Sequence, residues 1–447
     1  MSESNSRHDS DRNPNPRVTW DGCSVLLDIN DGDRLVFARL SGGAKLKIGN
    51  KNYSLQPLIG APFGSLFQVE NETKGSCLSR VIPTKEESNN QNEGDGLLID
   101  ESRDNREIVD NNQAQSLTGE EIEAMRRQGA KGDEIVEALI ANSKTFEKKF
   151  QLSQEKYRLK KQKKYAPKVL IRRPFARSIC EAYFKKYPVR IGFLRIDALS
   201  LLLSMANVTA HSDVLLVDMV GGLVTGAVAE RLGGTGYVCN TYRGSSPYPL
   251  EIVRMFNFSD GVLERIVRSS LSDLSSSEAL TLEENNQRGA PDTENIVKDI
   301  STSDNVKEIS LTSEETVDTV PEMTFPASKV SKAPKAGAKA SKEAVQMWKE
   351  NGFSSLIIAA PEQDAWSLAK DLLPLLSYSA PFAIYHQYLQ PLATCMHNLQ
   401  QEKMAINLQI SEPWIREYQV LPSRTHPHMQ MSSFGGYVLS GTRISSS

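Results

Sequence analysis

A glycine-rich turn and a dense run of lysines are the two places in this sequence where residue type and spacing point to chemistry. The turn reads Met219-Val220-Gly221-Gly222-Leu223-Val224-Thr225-Gly226 and follows the apolar run DVLLVDM, which predicts a short buried strand. Glycines there let backbone approach a nucleoside cofactor closely, because only glycine has no Cβ in the way. A methyl-donor site also needs a carboxylate at the end of the following strand to accept the ribose hydroxyls. Here Gly221, Gly222 and Gly226 break the Gly-x-Gly-x-Gly spacing. Val220 and Leu223 place branched side chains where open space is expected, and the next strand ends Cys239-Asn240-Thr241-Tyr242 with no acid. Two separate elements of a cofactor site are missing. A plain strand–helix turn fits best; the alternatives are a working donor site of unusual sequence and a pocket that is vestigial or binds another ligand.

The lysine run, Lys156-Tyr157-Arg158-Leu159-Lys160-Lys161-Gln162-Lys163-Lys164-Tyr165, packs six bases and two tyrosines into ten residues. Lysines pair with phosphates as point charges, and each contact releases condensed counterions. Tyrosines can stack on bases. Arg172 and Arg173 extend the patch. Charge of this density grips any polyanion and carries no sequence specificity of its own. A nuclear import signal and a solvated helix face are the plainer readings of the same residues.

Other chemistry is sparse. His426 and His428 flank Pro427 in a polar loop with no cysteine or acid beside them, so a metal site is not expected there. No nucleophile elbow, phosphate-binding loop or zinc-protease pattern appears, and no catalytic residue is expected. Cys23, Cys77, Cys180, Cys239 and Cys395 are odd in number and irregular in spacing, which argues against a disulfide framework and for a reducing compartment. No apolar run approaches the ~20 residues of a membrane span.

The elements around these stretches follow from local pattern. Residues 1–16 read as a polar disordered tail. From 17 to 82, short β runs (SVLLDI, DRLVFARL, AKLKIG, YSLQPLIG, SLFQVE) alternate with Asn-Asp-Gly and Gly-Gly turn signals and predict a small antiparallel barrel. Residues 83–115 form a polar, acidic linker. Residues 116–173 are helical and lysine-rich, with Thr118 and Asp133 as candidate N-caps. Residues 174–264 and 343–447 alternate strands with helices, as parallel βαβ units do. Residues 265–342 read as a low-complexity, disordered insert: Asp273 to Asp318 holds twelve acids against three bases. The chain closes on INLQISEPWIREYQVL and GGYVLSGTRI, which predict a long antiparallel hairpin. A parallel sheet that ends so is the arrangement of nucleoside-cofactor methyltransferases. The expected fold class is therefore α/β: a degenerate class I (Rossmann-like) methyltransferase domain preceded by a small antiparallel β-barrel.

Taken in order, barrel, LTGEEIEAMRRQGAKGDEIVEALI, lysine run, defective turn VDMVGGLVTG, acidic insert and the segment Trp414–Ile444 resemble the family of non-catalytic subunits of eukaryotic tRNA (adenine-N(1))-methyltransferase. The resemblance covers nearly the whole chain apart from the tail and the insert. It implies a subunit with no cofactor of its own, holding tRNA for a catalytic partner that binds S-adenosylmethionine. It also implies a heterotetramer of two copies of each and a place in the nucleus, with no membrane attachment. The alternative is an active S-adenosylmethionine-dependent RNA methyltransferase with an atypical donor site. Matching segments imply tRNA contacts from Asn105, Arg106 and Gln115 before the first helix. In the lysine run they imply contacts from Lys156, Tyr157, Arg158, Lys160, Lys161, Lys163, Lys164 and Tyr165. Further on come Lys186, Arg190 and Phe193, then Gln400, Lys403 and Leu408, then Gln419, Arg424 and His426. Relatives can carry an arginine after the strand that here ends Ala359-Ala360, where this chain has Pro361.

Overall fold

The computed structural model describes residues 15–72, 75–81, 115–147, 149, 151–276, 335–421, 424–432 and 434–444. The acidic linker, including Asn105 and Arg106, and most of the insert lie outside these residues. The barrel and the α/β domain fall within one compact unit.

The expected barrel takes the form of a five-stranded antiparallel sheet and a separate hairpin around one core, called the barrel below; it opens with β1 (Ser24–Ile29), β2 (Arg34–Arg39), the hairpin β3 (Lys45–Ile48) and β4 (Lys51–Ser54), then β5 (Leu66–Glu72) and β6 (Gly75–Arg80). Three helices follow: α1 (Gly119–Arg127), α2 (Gly132–Ala141) and α3 (Gln151–Tyr165). The chain then returns to the barrel as β7 (Lys168–Arg172), which lies between β1 and β5 in an antiparallel sheet ordered β2-β1-β7-β5-β6. This strand comes from the end of the stretch read as helical, so the domain is completed by residues far from 17–82. Val25, Leu27, Leu46, Tyr53, Phe67 and Ile171 share one core. In β1 both faces are buried: Val25, Leu27 and Ile29 face that core while Leu26, fully buried, does not belong to it.

Thr118 caps α1 as expected, its hydroxyl accepting from the Glu121 amide and the Glu121 carboxylate from the Thr118 amide. At α2 the cap position is Lys131, with Glu134 reaching back to its amide; Asp133 lies inside the first turn and accepts from Gln68.

The α/β domain begins with α4 (Ala176–Lys186) and α5 (Ile196–Met205), then β8 (Asp213–Asp218), α6 (Leu223–Leu232) and β9 (Tyr237–Tyr242). The run PLEIVRMF forms a 3-10 turn, Glu251–Phe256, where an α-helix is the sequence expectation. After a short helix α7 (Asp260–Leu263) come β10 (Ile266–Ser270) and α8 (Leu271–Ser275). Beyond the insert lie β11 (Ala338–Lys339), α9 (Lys342–Asn351), β12 (Ser355–Ala359), α10 (Ala365–Leu372), β13 (Pro381–His386), α11 (Leu389–Gln401) and β14 (Ala405–Ser411). The insert is therefore shorter than 265–342 at both ends. A two-stranded ribbon, β15 (Tyr418–Leu421) and β16 (Arg424–Pro427), precedes the last strand, β17 (Tyr437–Arg443).

The sheet order is β11-β10-β9-β8-β12-β13-β17-β14, parallel except for β17, which runs antiparallel to both neighbours. This is the Rossmann-like methyltransferase arrangement. The expected hairpin is present in β14 and β17 only; QVL and RTHP leave it to form the ribbon. One face of the sheet carries α4, α5 and α6 around Leu199, Val224 and Phe256, and the other carries α9, α10 and α11 around Trp348, Leu368 and Leu399. Strands β8 and β12 are apolar because both of their faces are covered.

Candidate nucleic-acid interface

The glycine turn stands at the carboxyl end of β8, where open α/β sheets bind ligands. Its geometry is set by Asp218, the fully buried last residue of that strand. One carboxylate oxygen accepts from the amides of Val220 (2.9 Å) and Gly222 (3.1 Å); the other accepts from the amide (2.8 Å) and hydroxyl (2.7 Å) of Thr225. The Thr225 hydroxyl in turn accepts from Asn240 Nδ2 at 2.8 Å. Burial pushes the Asp218 pKa up, and the four donors oppose that shift.

What lies against the glycines is the chain itself. A Cβ on Gly222, at φ 88°, would stand 2.8 Å from Leu250 Cα, and one on Gly226 would stand 2.2 Å from the Phe256 ring. The Ile252 amide donates to the Gly221 carbonyl at 3.1 Å. After β9, where a ribose-binding acid would be needed, Arg243 donates to the hydroxyl and carbonyl of Ser367 and pairs with Asp371. The crevice beside it is lined by Val217, Tyr242, Tyr248, Leu271, Leu368 and Leu372, with no acid among them. These residues do not fit S-adenosylmethionine. The glycines permit close packing of Leu250 and Phe256, which is the plain-turn reading made concrete.

The lysine run forms most of α3. Lys156, Lys160 and Lys164 recur at four-residue spacing and are all exposed, so they stand in one row along the helix. Lys163 and Arg158 are exposed and Lys161 is half-buried. Both tyrosines have partners within the chain. Tyr165 is 8 % exposed and packs with Ile135, Val136 and Leu139. Tyr157 meets the Phe146 ring, accepts from Gln115 Nε2 at 3.3 Å and lies under Lys149 and Lys161. Gln115 also donates to the Leu139 carbonyl, so it is a brace for α3.

The turn between β1 and β2 fixes the helix. Asn30 and Asp31 both take positive φ, 56° and 57°, followed by Gly32 at 86°. Asn30 Nδ2 donates to the Lys163 carbonyl, its Oδ1 accepts the Lys168 amide, and Asp33 pairs with Lys163 at 2.8 Å. Lys185, near the end of α4, donates to the Gly32 carbonyl. Lys186 is exposed over the Tyr187 ring. Thus α3 and the end of α4 meet the same turn.

The remaining candidates divide. Arg190 is exposed and faces Glu251 at 3.4 Å, and Phe193 is half-buried at φ 56° next to the glycine-turn edge. Pro361 occupies that edge, its ring 2.8 Å from where a Gly192 Cβ would stand. Gln400 and Lys403 are exposed where α11 meets β14, at the opposite end of the sheet from the turn. Leu408 packs half-buried against Gly441. Gln419 and His426 pair across the ribbon; the Arg424 side chain lies outside the described residues. Sequence reading missed the device that holds this ribbon. Arg195, 5 % exposed, forms a two-pronged pair with Asp197 and donates to the carbonyls of Pro413, Ser432 and Phe434. Asp197 also accepts the Ile415 amide. A lone Arg-x-Asp at a helix start gives no hint of carbonyls more than two hundred residues away.

Residues 21–307 match the Gcd10p family. The chain is 34 % identical over 436 residues to the tRNA (adenine(58)-N(1))-methyltransferase non-catalytic subunit of Dictyostelium discoideum, covering 96 % of this chain and 80 % of that protein. It is 31 % identical over 451 residues to the mouse protein of the same name, covering 93 % and 88 %. A Thermotoga maritima SAM-dependent O-methyltransferase aligns with a TM-score of 0.48 and 11 % identity over 96 % of both chains. The tRNA (m1A58) methyltransferase TrmI of Aquifex aeolicus aligns with a TM-score of 0.43 and 10 % identity, over 96 % of this chain and 99 % of that one.

Proposed function

The chain belongs to the Gcd10p family, and on that footing we propose that it is the non-catalytic, RNA-holding subunit of a tRNA adenine-N(1)-methyltransferase. It grips the phosphates of tRNA and presents the T-loop adenosine to a catalytic subunit, which carries the methyl donor. The assembly contains two copies of each chain and works in the nucleus.

One observation carries the reading: the donor turn is closed on its own chain, while the lysine row of α3 is open. Asp218 satisfies four donors of the turn, and Leu250 and Phe256 pack directly against its glycines. On α3, like charges four residues apart repel by roughly 0.2–0.5 kcal/mol a pair. The exposed row Lys156, Lys160, Lys164 therefore gains from a polyanion laid along it. The target base must be drawn out of a folded RNA, a task in which grip and chemistry can be divided between chains.

The test is reconstitution. The purified chain should transfer no methyl group to tRNA and should give no binding heat with S-adenosylmethionine. Adding the catalytic subunit should restore turnover. Sustained turnover by this chain alone would overturn the reading and favour an active enzyme with an atypical donor site.

A further inference from the structure

We infer that the phosphate-gripping surface does not end at α3 but continues onto the barrel, across Arg34, Lys45 and Lys47, and that its occupant there is the backbone of the same RNA; this rests on the RNA-holding reading above.

The hairpin β3–β4 alternates cleanly. Leu46 and Tyr53 point into the barrel core at 4 % exposure each, which turns Lys45 and Lys47 to solvent on the other face. Two residues apart on a strand, the ammonium groups are rooted about 7 Å from each other, within the ~8 Å over which salt at physiological strength screens charge. Arg34 adds a third cation, because its guanidinium donates to the Lys47 carbonyl at 2.8 Å and is thereby held at the edge of β3. Arg34 is exposed, as are both lysines.

The join to α3 is direct. Arg34 follows Asp33, and Asp33 is engaged by Lys163 of the lysine helix at 2.8 Å. The same turn takes the Asn30 bond to the Lys163 carbonyl. The Asp33–Lys163 pair is the seam between the two elements: Lys156, Lys160 and Lys164 are exposed on the helix side of it, and Arg34, Lys47 and Lys45 are exposed on the barrel side. A row of lysines on a hairpin also deters strand-to-strand aggregation. That role requires neither a third cation tied to the strand backbone nor a bridge to a second basic element. Continuity of charge over two elements suits a long, flexible or helical polyanion better than a point ligand.

The experiment uses the full chain with its catalytic subunit and measures tRNA affinity against salt concentration for the wild type, K45Q/K47Q and K156Q/K160Q. Both double variants lie at exposed positions, and unchanged thermal unfolding checks that each folds. Every lysine–phosphate pairing removed should flatten the log–log salt slope by roughly 0.7–0.9, so K45Q/K47Q should lose roughly 1.4–1.8. A slope unchanged in K45Q/K47Q but flattened in K156Q/K160Q overturns the barrel extension alone. Slopes unchanged in both overturn the RNA-holding reading of α3 and the extension with it. If K45Q/K47Q instead releases the catalytic subunit on gel filtration while the slope stays intact, the face belongs to a protein contact and the extension is wrong.

Discussion

At the scale of single residues, the buried carboxylate of Asp218 decides what the glycine turn can be. All four of its partners are donors, so it must be an acceptor on both oxygens. Asp218→Asn puts an amide NH2 against two of those donors. Each buried donor left without an acceptor costs about 1–3 kcal/mol. Thermal unfolding of Asp218→Asn should therefore fall by several degrees, whereas an ordinary surface Asp→Asn change moves it little. His386, 6 % exposed at the end of β13, gives a pH-dependent counterpart. Burial lowers its pKa from the usual 6.5, against the backbone groups of Tyr388 and Pro361, which raise it. The folded state thus binds the proton less readily than the unfolded chain. Its contribution to stability is complete above about pH 6.5 and is lost as pH falls toward the lowered folded value. Denaturant melts between pH 7.5 and 5.5 should show that loss. A His386→Gln chain whose melts fall just as steeply would remove His386 as its source.

At the scale of elements, α3 is a charged lever with apolar anchors. Tyr165 sits in the α1–α2 cluster, Gly132 lets α2 approach within 2.6 Å (its missing Cβ to the Tyr165 carbonyl), and Asn30 holds the last turn. Asn30→Ala removes the brace while leaving every lysine in place. The expected outcome is weaker tRNA binding, by a few fold, with a salt slope close to wild type, because contacts are misplaced and not deleted. A slope flattened as in a lysine variant would contradict the brace. This division also shows how far the sequence could be read. Strand–helix alternation, the lysine row and the faulty glycine turn are local patterns, and each is visible within ten residues. The roles of Tyr157 and Tyr165 are not, because an aromatic between lysines looks the same whether it faces solvent or a helix pair. The Asn-Asp-Gly signal marks a hairpin turn correctly, yet nothing near it tells that the turn will seize a helix more than a hundred residues later. The missing acid at the end of Cys239–Tyr242 is legible as a loss; that the next residue, Arg243, pairs with Asp371 is not.

For the whole molecule, specific bonds tie barrel to sheet. Asn257, at φ 55°, donates to the Ser24 carbonyl and accepts the Ser24 amide, both at 2.7 Å, and Phe37 meets the Tyr183 ring. Lys185 on Gly32 adds a third tie. Asn257→Ala should cost about 1–3 kcal/mol. Trp20, beside the barrel core, and Trp348, in the sheet core, serve as separate fluorescence reporters in chains where the other three of the four tryptophans are replaced by Phe. With Asn257 in place their urea transitions should coincide, and in Asn257→Ala the barrel signal should move to lower urea. Coincident transitions in both chains would mean the ties lie elsewhere.

The return of the chain as β7 has a consequence for how this molecule is made. The barrel's inner strand is encoded after α1, α2 and α3, so a nascent polypeptide that has emerged only as far as β6 holds β1 and β5 with their facing edges bare. Ribosomes must deliver residues through Arg172 before those edges are covered. Until then the half-built barrel is a client for chaperones, and truncation just before Lys168 should leave a protease-sensitive, insoluble product.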